Sequence, residues 1–506
     1  MKATTELFDL IKNLDGGEKG YFKKHSFINS RSNADVNYLM LFDSIEAQEK
    51  YDEKELRLKF KQHAFAKQFP VAKTYLYNRI LKALHSYHSS VFEDIRNYLH
   101  YAEILYYKKL YDQSAKALDK AKKLSLRYDI HHYYPAILAW ESNLAVATYD
   151  LNWVDEIISE SNKEMLQLQN NQGYNMLVMN VMVIINRYGS IRKKNLLEKL
   201  EQTMKNPALR NETNAIGFTS KMNFFAIHAF YQYAKENYSL AEKYFKRQLA
   251  LFRNNPEKTK AQFTANVVCI NNLIGMLFQE GADRSEAPAY LALLKAEMLQ
   301  KRKPSQQALL FYLYNQNLLM YMHVTGQFDK ATELLPDILR DYPKHGKELN
   351  PFQKTSLLIK ISITWFGAEQ YGKCLQYLNM IRNQISFKVQ PDMDYFLYVF
   401  YIIVHYEAGH YDLLSSLIQS AEYFSKKQNS QSKLEDTLLQ FFKKNRSKTS
   451  GKISSEEFVK LKEDVLFLSK DRNEKHSFEN FNFIDWIESK IENKKIGEII
   501  KQKAKQ

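Results

Sequence analysis

The stretch from Leu313 to Pro343 reads LYNQNLLMYMHVTGQFDKATELLPDILRDYP, and its reading decides the fold. Apolar residues recur at spacings of three and four as far as Val324, which predicts one helix. Gly326 supplies the backbone freedom that a tight turn needs. Phe328 opens a second helix as an aromatic plug, Ala331 lets two helices approach closely, and Pro343 is expected to stop the unit.

Working outward, the second half of this pattern recurs. It reads YDQSAKALDKA from Tyr111, YSLAEKYFKRQ from Tyr238, YGKCLQYLNMI from Tyr371 and YDLLSSLIQSA from Tyr411. Each copy follows an apolar, aromatic-rich stretch. One helix pair cannot bury its apolar side alone, so periodic pairs are expected to stack into a solenoid that displays surface.

These residues resemble the tetratricopeptide repeat. Leu318, Gly326, Phe328, Ala331, Leu335 and Pro343 fall where that family places its signature residues. Ala229, Tyr238, Ala241 and Phe245 match in a second copy, and Ala102, Tyr111, Ser114 and Ala121 in a third. Cys374 and Leu414 replace the small residue in two others, and weaker units open near Trp153, Asn195 and Arg284. The anchors at 111, 153, 195, 238, 284, 328, 371 and 411 lie 40 to 46 residues apart. The family period is about 34, so helices roughly one turn longer are expected. The resemblance implies an all-α, right-handed superhelical solenoid of tetratricopeptide-like hairpins over residues 91–425. Residues 1–90 read as an N-terminal helical module, and residues 426–506 as a basic loop with a C-terminal helical cap.

Composition agrees with helices. The 506 residues include only 15 Gly and 10 Pro, roughly 3% and 2% against about 7% and 5% on average. The 34 Tyr and 31 Phe suit helix-pair packing. Cys269 and Cys374 are far apart in apolar stretches, which argues against a disulfide framework. The start, MKATTELFDLIKNLDGGEKG, carries acids where a signal peptide needs an apolar core, and no apolar run reaches membrane-spanning length. A cytoplasmic location is the expectation.

Net charge is +15 and denser toward both ends. A lysine-rich solvated surface explains it, and attraction to nucleic acid is the alternative. That alternative points to Lys443, Lys444, Arg446 and Lys448 in the basic loop. It also prompts a helix–turn–helix reading of residues 53–88, with Lys73, Tyr77, Asn78 and Arg79 facing DNA. The connection of about eight residues is long for that motif, so these helices read better as part of the array's end.

No Gly-rich phosphate loop, nucleophile elbow or dinucleotide fingerprint occurs. His85 and His88 share a helical face with Asp94 and His100 following, yet no further ligand cluster has fitting spacing. The expectations are therefore no enzyme, no cofactor and no metal. The tetratricopeptide resemblance implies binding along the first helix of each pair. Carried over by position, it selects Tyr106, Asn223, Phe230, Tyr233, Gln316, His323, Phe366 and Tyr406 as a peptide-binding groove. Leu99, Phe230, Met320 and Ile363 stand where carboxylate-clamping members need Lys and Asn, so that mode is not expected. The expected function is a scaffold or adaptor holding a peptide or helix of a protein partner. The alternative is a nucleic-acid-associated regulator.

Overall fold

The computed structural model describes residues 5–28, 33–88, 90–188, 193–279, 282–384, 391–428, 432–445, 453–471, 474, 478 and 481–504. All regular secondary structure among them is helical. Two compact units divide the chain between Ser161 and Asn162.

In the first unit, α1 (Glu6–Asn13), α2 (Gly16–Ile28), α3 (Asn33–Ala47), α4 (Glu53–Lys59) and α5 (Phe69–Tyr87) enclose a core that includes Ile11, Phe22, Phe42, Phe60, Leu76 and Ile80. Asp52 starts α4 by accepting hydrogen bonds from the Lys54 and Glu55 amides. On α5, Lys73 does not face outward as the helix–turn–helix reading requires. Lys73 is buried and Tyr75 is 40% exposed. The reason is local: the Lys73 ammonium lies 2.7 Å from Glu53 Oε2 and donates to the Tyr51 hydroxyl at 3.0 Å. Those contacts repay the desolvation of a buried charge. The Tyr75 ring rests on Tyr38 and under Arg79.

The unit continues with α6 (Val91–Tyr107), α7 (Tyr111–Arg127), α8 (Tyr134–Thr148) and the start of α9 (Leu151–Tyr188). Helix α6 packs on α7 and α8, and α7 packs on α8. Ser114, the small residue of this copy, is fully buried, and its hydroxyl donates to the Ala102 carbonyl at 2.7 Å.

The second unit contains the remainder of α9 with α10 (Lys193–Met204), α11 (Phe218–Ala234), α12 (Tyr238–Arg253), α13 (Pro256–Ala261), α14 (Phe263–Leu277), α15 (Ala287–Met298), α16 (Pro304–Val324), α17 (Phe328–His345), α18 (Pro351–Gly367), α19 (Tyr371–Gln384), α20 (Pro391–Glu407), α21 (Leu414–Gln428), α22 (Lys433–Asn445) and α23 (Ser455–Ser469). Two further helices, Phe483–Glu492 and Ile496–Lys503, follow. From α14 to α22 each helix packs on the next, and α14, α16, α18 touch in sequence, as do α20 and α22. This is how stacked helix pairs hide apolar faces that one pair leaves wet. One continuous core runs from Phe218 to Ile496.

The turn between paired helices has a fixed form. Lys109, Glu236, Gly326, Glu369 and Gly409 all adopt left-handed φ, between 59° and 78°. Each lies two residues before the aromatic that opens the second helix. The residue between them donates its amide back to a carbonyl five positions earlier: Leu110 to Leu105, Asn237 to Gln232, Gln327 to Met322, Gln370 to Trp365 and His410 to His405, at 2.8–3.0 Å. This is the Schellman closure, which satisfies carbonyls that a helix end otherwise leaves bare. Pro343 departs from expectation. It lies inside α17, which runs to His345 before Gly346 donates its amide to the Tyr342 carbonyl. A proline in the last turn removes one amide from a ladder already ending, so the helix tolerates it.

Left-handed φ costs an L-residue with a side chain about 1–2 kcal/mol. Lys109→Gly is therefore expected to raise stability by about 0.5–1 kcal/mol, after glycine's own entropic cost. Gly409→Ala, whose added methyl meets open space, is expected to lower it by about 1–2 kcal/mol. Urea unfolding checks both, and an unchanged midpoint for Gly409→Ala would show the turn to be unstrained.

Candidate functional site

The eight residues selected along the first helices occupy different environments. In the first unit, Tyr106 is half-buried and its ring lies 5.5–5.7 Å from those of Tyr107, Tyr111 and Trp140. In the second unit, Phe230 and Tyr233 are half-buried on α11, each beside a ring of α12, Phe245 at 5.5 Å and Tyr238 at 5.8 Å. Asn223 is buried and donates to Asn175 Oδ1 at 2.7 Å. Gln316 is half-buried, donating to Asn271 Oδ1 at 3.2 Å and accepting from Ser356 Oγ at 3.3 Å.

His323 is buried in the core. Its Nε2 lies 2.8 Å from Thr364 Oγ1. The Thr364 hydroxyl already donates to the Lys360 carbonyl at 2.9 Å, so Nε2 must carry the proton. Nδ1 then has no partner. A second proton would have to sit there without an acceptor. Burial first, and the Lys360 charge second, hold this imidazole well below its ordinary pKa.

Phe366 and Tyr406 are covered by the chain's own C-terminal segment. Phe366 meets Phe481 at 5.3 Å, and Tyr406 meets Phe458 at 6.3 Å. The Tyr406 hydroxyl accepts from the Ile453 amide at 3.2 Å, and burial pushes its pKa up to about 12. The segment reaches back over three successive turns. At the first, Glu407 accepts from Trp486 Nε1 and from Lys490 Nζ, both at 2.7 Å. At the second, Lys495 lies 3.4 Å from Glu369. At the third, Gly326 and Gly497 meet backbone to backbone: a Cβ on Gly326 would sit 2.5 Å from the Gly497 carbonyl oxygen. The Phe328 plug fits because α18 ends in glycine, where a Cβ on Gly367 would fall 2.1 Å from its ring. Periodicity carried no signal for this segment's path, since its partners lie roughly 40 to 170 residues away in sequence.

Of the four basic residues, Lys443 pairs with Glu422 at 2.6 Å and Lys444 with Glu457 at 3.5 Å. Arg446 and Lys448 lie outside the described residues. In the first unit His85 faces Glu93 at 3.3 Å, His88 faces Glu18 at 2.6 Å and His100 faces Glu103 at 3.6 Å. Among the described residues no group of three or more His, Cys, Asp or Glu could hold a metal ion. Cys269 and Cys374 are buried free thiols whose pKa burial pushes up, which suits packing and not reactivity. A small pocket between α19, α20 and α21 is lined by Leu378, Arg382, Leu397, Tyr398, Tyr401, Leu417 and Ser420.

The fold defines an all-α protein of packed helix pairs. The chain matches no protein-family model and no curated protein. No helix among the described residues is long and apolar enough to cross a membrane.

Trp486 is 1% exposed, and Trp486→Ala is expected to destabilise the second unit by about 3–5 kcal/mol. Gly326→Ala should cost more than Gly409→Ala, because it adds a clash with Gly497 to the same backbone penalty. Urea unfolding of the two variants side by side tests the contact, and equal losses would refute it. Acid has a predictable sign as well. His323 stays neutral when folded and protonates at an ordinary pKa, about 6.5, when unfolded, so its stabilisation is present above that pH and lost as pH falls. The loss is about 1.4 kcal/mol per pH unit well below 6.5. Asp394, pushed up to about 6 by burial, acts oppositely between about pH 4 and 6. His132, His228, His345 and His405 are lowered too, with burial the first cause in each. The urea midpoint should therefore fall between pH 7.5 and 6, and a rise over that window would contradict the assignment.

Proposed function

We propose that this protein is a non-catalytic scaffold or adaptor, a divergent tetratricopeptide-like array with right-handed superhelical winding, acting in the cytoplasm. Its first-helix face holds a segment of a protein partner. The observation that carries the reading is the chain's own C-terminal segment, which lies against the ends of α16, α18 and α20 through aromatic rings, glycine contacts and a few ion pairs. A face built this way accepts a polypeptide by burying rings and pairing its polar groups, the chemistry of groove recognition. The stretch assigned to the partner carries Phe230, Tyr233 and Gln316, all half-buried.

Nucleic acid is the less supported alternative. Lys443 and Lys444 already face carboxylates, and Lys73 of the helix–turn–helix reading is buried on Glu53. Phosphate contacts should appear first at low salt, so generic duplex DNA bound at 50 mM salt and released at 200 mM would favour that alternative.

Crosslinking in cells followed by mapping of the bound segment identifies the partner. The double variant Phe230→Ala, Tyr233→Ala is expected to weaken that segment about 30-fold or more, the loss typical of aromatic anchors, with helicity and melting retained. Unchanged affinity would remove these two rings from the site.

A further inference from the structure

The part of α9 that belongs to the second unit is apolar on two opposite sides. On one side Tyr174, Val181 and Ile184 are buried with Leu196 of α10 and Phe224 of α11. Polar groups along its edges are tied down: Asn170 bonds the Asn214 carbonyl and the Ile216 amide, Asn171 accepts from Ser220, and Asn180 donates to Thr203. On the other side Met165, Leu166, Met176, Met179 and Val183 are 50–66% exposed. At 3.6 residues per turn these five share an arc of roughly 140°. Single exposed apolar side chains are ordinary, whereas a contiguous row marks a contact surface. A helix that is apolar all round is a buried helix, and among the described residues this face has no cover.

Charge identifies the cover. The 22 residues from Met165 to Asn186 include no Asp, Glu, Lys, Arg or His, although 25% of the chain is charged. A comparable run on α16 leaves no large apolar side chain exposed. An acidic or basic partner would find no complementary charge on the α9 face. Two copies of the chain, each at +15, repel one another over most approaches. At this face they touch without setting lysine against lysine. The face also suits itself: antiparallel about a twofold axis, each end meets the other end of its copy, and flexible methionines fill the irregular gaps between them. Gly173 lies near its middle, exposed, and a Cβ there would meet nothing of its own chain. Glycine inside a helix is unfavourable relative to alanine, and close approach of a second backbone gives it a use. Area sets the strength. Residues 165–183 span about 28 Å of a helix about 10–12 Å across. That is roughly 300 Å² in plan, against about 800 Å² per partner for a standard interface, so the pairing is reversible.

We propose that the uncharged face of α9 from Met165 to Val183 pairs with the same face of a second copy of this chain, forming a weak twofold dimer. This goes beyond the scaffold reading and does not rest on it. The test is sedimentation velocity of the full chain from about 1 to 300 µM, a range that brackets weak association. A monomer–dimer equilibrium with a Kd of roughly 1–100 µM is expected. Met176→Glu, Met179→Glu places like charges across the axis and should weaken the dimer at least about 30-fold. Both positions are at the surface, so the fold should tolerate the change. Salt gives an arm that needs no variant. Raising it from about 50 to 500 mM screens the repulsion between copies and should tighten the dimer severalfold. A chain that stays monomeric throughout overturns the proposal, as does a dimer that the glutamates leave intact or that salt weakens. A different protein crosslinked to this face in cells, with the chain alone monomeric, would replace the second copy as occupant. Each of these failures leaves the scaffold reading standing.

Discussion

Everything in the second unit depends on the angle at which each first helix gives way to its partner, and one left-handed residue sets that angle. The two backbone bonds around it leave a single exit for the chain. The aromatic two residues later is then delivered into the gap between helices. Because Glu236 and Glu369 accept this conformation without being glycine, the strain they carry must be offset by what the turn makes possible: the continuous core from Phe218 to Ile496.

Polar groups between the helices are handled with the same economy. Ser114 gives its proton to a carbonyl across the interface, Thr364 serves both Lys360 and His323, and Lys122 sits among Glu141, Glu160 and the Tyr134 ring. Isolated burial of any of these would be costly. Paired, they fix register between helices whose apolar surfaces alone would permit sliding.

Helix pairs, aromatic plugs and small contact residues were legible because each leaves a mark within one repeat. Phe328, Ala331 and Gly326 announce themselves by residue type. The left-handed turns at Glu236 and Glu369 did not, since nothing in a glutamate side chain signals positive φ. The inward turn of Lys73 depended on Tyr51 and Glu53, some 20 residues away, which no local pattern around Lys73 marks. Among the eight residues expected to line a groove, burial of Asn223, His323, Phe366 and Tyr406 came from distant helices. A search confined to local pattern sees which side chains share a face, and it cannot see what later folds against that face.

The contact between Gly326 and Gly497 joins residues made about 170 positions apart. During synthesis, the plug at Phe328 and the rings at Phe366 and Tyr406 emerge long before the segment that covers them. For that interval a growing chain displays an oily strip to water. Any chain that stalls before Gly497 would keep that strip uncovered, a lasting invitation to chaperones and proteases.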